Sequence, residues 1–107
     1  MQKKAKTSKN ESTKEIKLNF IGKCFFFRTV SYHILGRVKS VIDVCGTKFF
    51  LLETGSSWVA DSGRFSEAIN NGCLNEVEVI KKSNHLVNPD SCVDILEWNH
   101  PLPTETK

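Results

Sequence analysis

The sequence lacks long hydrophobic runs, and none of its apolar stretches is longer than five residues. A membrane-spanning helix needs about 20 consecutive apolar residues, so the sequence predicts no transmembrane segment. Its beginning is rich in lysine and serine but has no apolar core of the kind found in secretory signals. These absences predict a soluble protein that works in the cytoplasm.

Closely spaced cysteines are also missing. Cys24, Cys45, Cys73 and Cys92 are separated by 21, 28 and 19 residues, and no C-x-x-C pair occurs. Structural zinc sites usually take their ligands from close pairs, because one tight turn must direct two sulfur atoms at one ion. Without a secretory signal, disulfides are not expected either. We therefore predict no metal site, no cofactor and four reduced thiols.

Positive charge is concentrated in one short part of the chain. Residues 1–17 hold six lysines and two glutamates, a net charge of +4, whereas the other nine basic and ten acidic residues sum to −1. A surface that neutralises several phosphates is normally basic, so duplex DNA or long RNA is disfavoured as a ligand of residues 18–107. Residues 1–17 have almost no large apolar side chains and are predicted to be a disordered, lysine-rich tail.

The rest of the sequence consists of short strand patterns around one helix pattern. Runs of β-branched and aromatic residues predict five strands. The predicted helix carries Phe65, Ala68 and Ile69 on one face, and it ends at Gly72, which suits a left-handed C-terminal cap. The strands are predicted at residues 22–30, 34–42, 47–53, 75–80 and 91–98, and the helix follows an N-cap at Asp61 or Ser62.

This pattern predicts a mainly β fold with one short helix. Short strands with frequent turns favour a small five-stranded antiparallel barrel of the OB, SH3 or Sm type over residues 18–103. The Sm-like arrangement places its helix before the first strand, so a helix between the third and fourth strands fits an OB-type barrel better. Residues 104–107 are predicted to be a disordered end.

The stretch 56–65 leads from the most apolar strand into the helix. It brings an aromatic ring, a carboxylate, hydroxyls and a guanidinium to one strand-to-helix corner, where polar groups often bind ligands. A tryptophan there can stack on a nucleobase. An arginine in the first helical turn opposes the helix dipole, which a bound anion would offset. The candidate ligand-binding residues of this corner are Trp58, Asp61, Ser62 and Arg64.

Arg28 and Arg37 flank the Tyr32-His33 segment and extend this candidate site. If the fold gathers them beside Trp58, they complete an aromatic and guanidinium pocket suited to a nucleotide. Two other interpretations stay open. Asp61 and Arg64 form an ion pair that only fixes the corner, or Trp58 is an anchor of the core or of an interface.

No catalytic signature stands out, and no catalytic residues are predicted. Asp61, Ser57 and either His33 or His85 can be written as a triad, but their spacing matches no elbow motif such as G-x-S-x-G. A hydrolase is therefore the minor alternative.

Three consecutive phenylalanines, Phe25–Phe27, bear on assembly. A strand directs alternate side chains to opposite faces, so at least one of these rings points away from a one-sided core. We therefore predict a homo-oligomer, unless the helix or the C-terminal exit covers the second face.

Five short segments of the chain follow one another in a particular order, namely Arg28–Ser31, Gly36-Arg37, Trp58–Phe65, Asn75–Glu78 and Glu97–Pro103. They resemble segments of a set of short, uncharacterised phage and prophage proteins, which carry R-T-V-T, T-G-R, W-I-A-D-T-G-R-F and W-x-H-P-L-P. The octet is the most specific match. The chain differs in the T-G-S-S run before the tryptophan, where an alanine-rich run is expected, and in the lysine-rich tail. The resemblance implies a viral origin and a host-cell cytoplasmic location, and it supplies no established activity.

These features predict a phage-type, non-enzymatic protein that binds a nucleotide-like or nucleic-acid ligand at the Trp58–Phe65 corner. One use of such a protein is to counter host defence by sequestering a nucleotide signal. The alternative is a protein-interaction module that binds and inhibits a host protein through Trp58, Phe25–Phe27 and the Pro101–Pro103 exit.

Overall fold

The computed structural model describes residues 19–60 and 64–107, so the predicted tail at 1–17 lies outside the described residues. The fold is mainly β, with seven strands and one short α-helix, as the sequence predicts in outline. Within the described ranges, no helix combines the length and the apolar character needed to cross a membrane. The elements in chain order are β1 (Cys24–Arg28), β2 (His33–Val44), β3 (Thr47–Leu52), β4 (Ser56–Val59), α1 (Phe65–Asn71), β5 (Val77–Ile80), β6 (His85–Val87), a 3-10 turn (Pro89–Ser91) and β7 (Asp94–Glu97).

The twelve-residue strand β2 organises the sheet. Its first part lies between β1 and β4, and its second part pairs with β3. The main path runs β5-β4-β2-β1-β7, while β3 pairs with β2 and β6, and every pairing is antiparallel. One strand therefore serves two parts of the sheet.

The sheet bends where these two parts meet. The register of β2 against β3 shifts between Val38 and Ser40, which marks a bulge. Close by, Gly36 is packed so tightly that an added Cβ would lie 2.9 Å from Leu52 Cδ1 and 2.9 Å from Ser56 Cβ. The absent side chain of Gly36 lets β3 and β4 approach β2 at the bend.

Both faces of β1 are buried. Phe26 packs under α1 and the C-terminal segment in a cluster that includes Ala68 and Trp98. Phe25 and Phe27 point the other way and pack against a second cluster from the bent part of the sheet, which includes Leu52 and Val87. All three phenylalanines are at most 1% exposed. The chain itself covers both faces, so these rings no longer argue for a subunit interface, and the homo-oligomer stays a prediction.

The predicted five-stranded barrel is not confirmed. The described sheet has seven strands, and its main path ends at β5 and β7, which do not pair with each other. The two additional strands, β4 and β6, are short. The sequence predicts a loop over 53–57 with a short extension at 58–60, and a turn over 81–89 that can hold a short extended stretch. The residues of β4 and β6 are held by cross-strand partners that are distant in sequence, so local propensity underestimates them.

The last residues of the chain lie along β5. Lys107 donates its backbone N–H to Val77 O at 2.9 Å and accepts from Val77 N at 3.1 Å. Thr106 Oγ1 accepts a hydrogen bond from Val79 N at 3.1 Å. Residues 104–107, predicted to be a disordered end, therefore include two positions that pair with a sheet edge.

The helix α1 is tied to the exit segment at its C-terminal end. Gly72 is the left-handed cap, with φ 74°, and its N–H bonds to Ala68 O, as the sequence predicts. His100 Nε2 donates to Ile69 O at 2.7 Å, which satisfies a carbonyl of the last turn. The W-x-H-P-L-P segment thus holds the helix in place, and Trp98 Nε1 donates to Pro101 O within it.

We predict that Gly72→Ala destabilises the protein far more than Gly46→Ala. Both glycines have positive φ, but an added Cβ at Gly72 would lie 2.8 Å from His100 Cγ, whereas nothing lies within 4 Å at Gly46. The backbone strain is common to both variants and cancels in the comparison. The contact with His100 adds about 1–3 kcal/mol to the destabilisation caused by Gly72→Ala. Urea unfolding of both variants measures the difference. Equal losses would show that His100 does not pack against this cap in solution.

Candidate functional site

The two strand arginines and Trp58 lie on opposite faces of the sheet. Arg28 shares the face of Phe26, because alternate residues of β1 point the same way, and Arg37 lies opposite Cys24 on that same face. Trp58 lies opposite Ile34, which lies opposite Phe27 on the other face. The structure therefore does not bring Arg28 or Arg37 beside Trp58.

Arg28 has a charge partner that the sequence did not reveal. Its guanidinium makes two hydrogen bonds to Asp94, at 2.7 and 2.6 Å, and its Cζ lies 5.8 Å from the centre of the Phe65 ring. The hydrogen bond from Arg28 holds the pKa of Asp94 below its usual value, and Asp94 in turn raises the pKa of Arg28. This pair joins β1, β7 and α1 and is not free to receive a phosphate.

Arg37 is engaged at the other end of β1. Its guanidinium donates to Gly22 O at 3.1 Å and lies 3.7 Å from a carboxylate oxygen of Glu53. Four residues of extended chain separate the levels of Arg28 and Arg37 along β1, a distance of roughly 13 Å. The two arginines do not converge on one ligand.

The helix begins later than the sequence predicts. Arg64 is the N-cap residue, with extended backbone, and Phe65 is the first helical residue. Arg64 is therefore not inside the first turn, and no side chain among the described residues caps this end. The predicted caps and ligand residues Asp61 and Ser62 lie outside the described residues, so their part of the candidate site stays a prediction.

What the structure does assemble is an aromatic surface around Trp58. The rings of Tyr32 and Trp58 are perpendicular with centres 6.2 Å apart, and the rings of Trp58 and His85 meet at 73° with centres 5.6 Å apart. Tyr32 is 47% exposed and Trp58 is 37% exposed. We call Tyr32, Trp58 and His85 the Trp58 surface.

Local hydrogen bonds set the position of Tyr32. It ends the short loop between β1 and β2, where Thr29 Oγ1 donates to Tyr32 O and accepts from Ser31 N. Thr29 N also donates to Nδ1 of the buried His33 at 3.2 Å. The loop is thus fixed at both ends, which holds the Tyr32 ring beside Trp58.

His85 is fixed from the other side. It pairs with Leu52 across β3 and β6, and its Nδ1 lies 3.1 Å from Ser56 Oγ. Burial lowers the pKa of His85, so the ring is neutral at pH 7 and adds no positive charge to the Trp58 surface. Exposed Val30 and Leu86 line a neighbouring groove together with Tyr32 and His85.

Carboxylates border the Trp58 surface on the β5 side. Glu78 is the direct cross-strand partner of Trp58, so both side chains lie on one face. Trp58, Glu76 and Glu78 line one open groove of about 350 Å³ together with Lys107 of the exit segment. The environment of Trp58 is acidic and aromatic, where the sequence predicted arginines.

Of the residues written as a triad, Asp61 lies outside the described residues, and Ser57 makes no hydrogen bond to His33 or His85. Ser57 is 1% exposed, on the face opposite Trp58, and its Oγ has no hydrogen-bond partner among residues 19–60 and 64–107. Ser56, also 1% exposed, is the serine that contacts His85. A serine without access to substrate cannot serve as a nucleophile. Burial also raises the pKa of the Cys24 and Cys92 thiols, which keeps them in the unreactive protonated form.

No family model, curated protein or solved structure matches this chain. The resemblance to phage proteins therefore stays a prediction, and the site rests on its own geometry.

Ser56→Ala and Ser57→Ala are expected to change stability in opposite directions. Ser56→Ala removes the hydrogen bond to His85 and should cost about 0.5–1.5 kcal/mol. Ser57→Ala removes a buried hydroxyl without a described partner and should stabilise the protein by about 1 kcal/mol. Chemical denaturation of the two variants measures the change in the free energy of unfolding for each. Destabilisation by Ser57→Ala would reveal a partner for its hydroxyl.

Stability should fall as the pH drops below about 6.5, and His33 should carry part of this loss. Burial, followed by the charge of Arg28, lowers the pKa of His33, against an opposing effect of Asp94. The unfolded chain then binds the proton first, so stability is complete above the unfolded pKa and declines as pH falls towards the folded pKa. Unfolding titrations at several pH values should show a shallower decline for His33→Gln. His85→Gln should remove a second part of the pH dependence. If the variant with both substitutions loses stability with falling pH as steeply as the unmodified protein, the prediction is contradicted.

Proposed function

We propose that this protein is a non-enzymatic interaction module that binds a partner protein through the Trp58 surface. The observation that carries the proposal is the exposure of two large aromatic rings in mutual contact, Trp58 on β4 and Tyr32 in the loop before β2. Tryptophan and tyrosine are enriched among the residues that dominate binding energy at interfaces. Their side chains lose little conformational entropy on binding when they are already held in place.

The supports of the surface favour a preformed site. Trp58 lies between Ser57 and Val59, which are both buried, so its backbone is fixed by the core. Tyr32 is held by the loop hydrogen bonds, and His85 by Ser56. A surface built in this way needs little rearrangement to receive a partner.

The predicted use of Phe25–Phe27 in the interface does not enter this proposal, because these rings are buried. Pro101–Pro103 belong to the segment that crosses over the helix end, so their role is explained by the fold. Of the predicted protein-contact residues, Trp58 is the exposed aromatic one.

A nucleotide-like ligand stays a prediction with weaker support. Arg28 and Arg37 have carboxylate neighbours and lie on the face away from Trp58. A phosphate beside Trp58 would meet Glu76 and Glu78, which repel it. If the resemblance to phage proteins holds, the partner is a host protein, and interference with host defence is the corresponding role.

Trp58→Ala is expected to weaken partner binding at least tenfold, since truncating an interface tryptophan commonly costs more than 1.4 kcal/mol. Affinity capture from the native cell, followed by titration of the captured protein, measures the effect. Val41→Ala is the matched control, because Val41 is 45% exposed on the distant part of β2. Equal affinity of both variants would remove the Trp58 surface from the interface.

The same proteins should be screened with ribonucleoside mono-, di- and triphosphates and cyclic dinucleotides by thermal shift. We expect no stabilisation. A nucleotide that raises the melting temperature of the unmodified protein but not of Trp58→Ala would replace this proposal by the nucleotide hypothesis.

A further inference from the structure

The groove beside Trp58 combines two features that favour one class of ligand. One wall includes the side chain of Trp58, which is 37% exposed, and the cross-strand neighbour of Trp58 is Glu78. An indole face attracts cations through its quadrupole, and a nearby carboxylate adds direct attraction. A cationic group that contacts Trp58 from this side is therefore attracted by both the ring and the carboxylate.

The charged side chains that line the groove also favour a cation as its ligand. Among its described lining residues, Glu76 and Glu78 are acidic and Lys107 is basic. His85, on the opposite side of Trp58, is half-buried and hydrogen-bonded to Ser56. Thus no described basic side chain other than Lys107 lines this groove.

One wall of the groove is itself built of extended chain. The backbone of Lys107 pairs with Val77 through two hydrogen bonds, and Thr106 bonds to Val79. These contacts bring a lysine of the chain itself to the wall of the acidic groove. A lysine of the chain is therefore already placed beside these carboxylates.

We propose that the Trp58–Glu78 groove binds a lysine or arginine side chain presented by an extended segment of the partner protein. This inference rests on the proposed function, and it specifies the chemistry of the partner. The cation lies against the Trp58 ring with Glu78 as its charge partner. The carboxylate of Glu76 increases the attraction at the outer part of the groove.

The test uses the full-length protein and a short peptide, Ac-Gly-Lys-Gly-Lys-Gly-amide, followed by tryptophan fluorescence. Trp58 is 37% exposed and Trp98 only 3%, so a change in emission reports mainly on Trp58. The matched control peptide carries norleucine in place of both lysines, which keeps the alkyl chain and removes the charge. We expect the lysine peptide to bind at least fivefold more tightly, which corresponds to the usual strength of an exposed cation–π contact together with a weak ion pair.

Two variants should shift the affinity in opposite directions. Glu78→Gln should weaken lysine-peptide binding about three- to tenfold, and Lys107→Gln should strengthen it, because one removes an attraction and the other a repulsion. Glu105→Gln, outside the residues that line the groove, is the matched control and should have no effect. Circular dichroism of each variant confirms that the fold is retained.

The outcomes separate this inference from the proposed function. Equal binding of the lysine and norleucine peptides, or insensitivity to Glu78→Gln, would overturn the cation assignment while leaving a binding surface at Trp58. If no peptide perturbs Trp58 and partner binding also survives Trp58→Ala, the proposed function itself fails.

The chain offers a second source of lysine in its residues 1–17. A variant with the six lysines of this segment changed to glutamine separates the two sources. Unchanged affinity for the added lysine peptide supports a partner as the ligand. A tenfold rise would show that the chain's own lysines compete for the groove, and would overturn the assignment to a partner.

Discussion

The structure depends on the burial of both faces of one five-residue strand. In β1, Phe26 needs cover on one face, and Phe25 and Phe27 need it on the other. A flat sheet with one helix covers only one face, so the second half of the sheet must bend back over the first. The bulge of β2 and the close approach of Leu52 and Ser56 to Gly36 make this bend. The Trp58 surface lies just beyond the bend, where β4 and β6 bring their aromatic side chains together.

The sequence predicted the elements that depend on local pattern. The mainly β class, the short helix and its cap at Gly72 follow from side-chain alternation and from the conformational freedom of glycine. It could not predict β4 and β6, because a strand of three or four residues is set by its partners across the sheet. The sequence also led from Phe25–Phe27 to the prediction of a homo-oligomer. The alternation rule shows that both faces of β1 need cover, but it does not show that the chain itself supplies this cover.

The candidate site illustrates the same limit. The sequence predicts Trp58 as a ligand contact and leaves an anchor of the core or of an interface open, and the structure leaves its side chain 37% exposed. Arg28 and Arg37 were grouped with it because they are near in sequence to Tyr32, but strand register decides which face each side chain takes. Tyr32 is the sole tyrosine of the chain, and its position two residues before the cross-strand partner of Trp58 emerges only from the pairing of β2 with β4. Glu78 and His85 join the site only through pairing across β4–β5 and β3–β6, which no local pattern encodes.

The pairing of β1 with β7 has a consequence for how the molecule reaches this structure. Phe25 lies opposite Glu97, so two strands that are more than sixty residues apart in sequence are neighbours. Closing such a long loop is slow, and its entropy cost precedes any gain from contact. During synthesis, the phenylalanines of β1 emerge well before the strand that completes their cover. The nascent chain therefore exposes Phe25–Phe27 until β7 has been made, and chaperone engagement at that stage is a natural outcome.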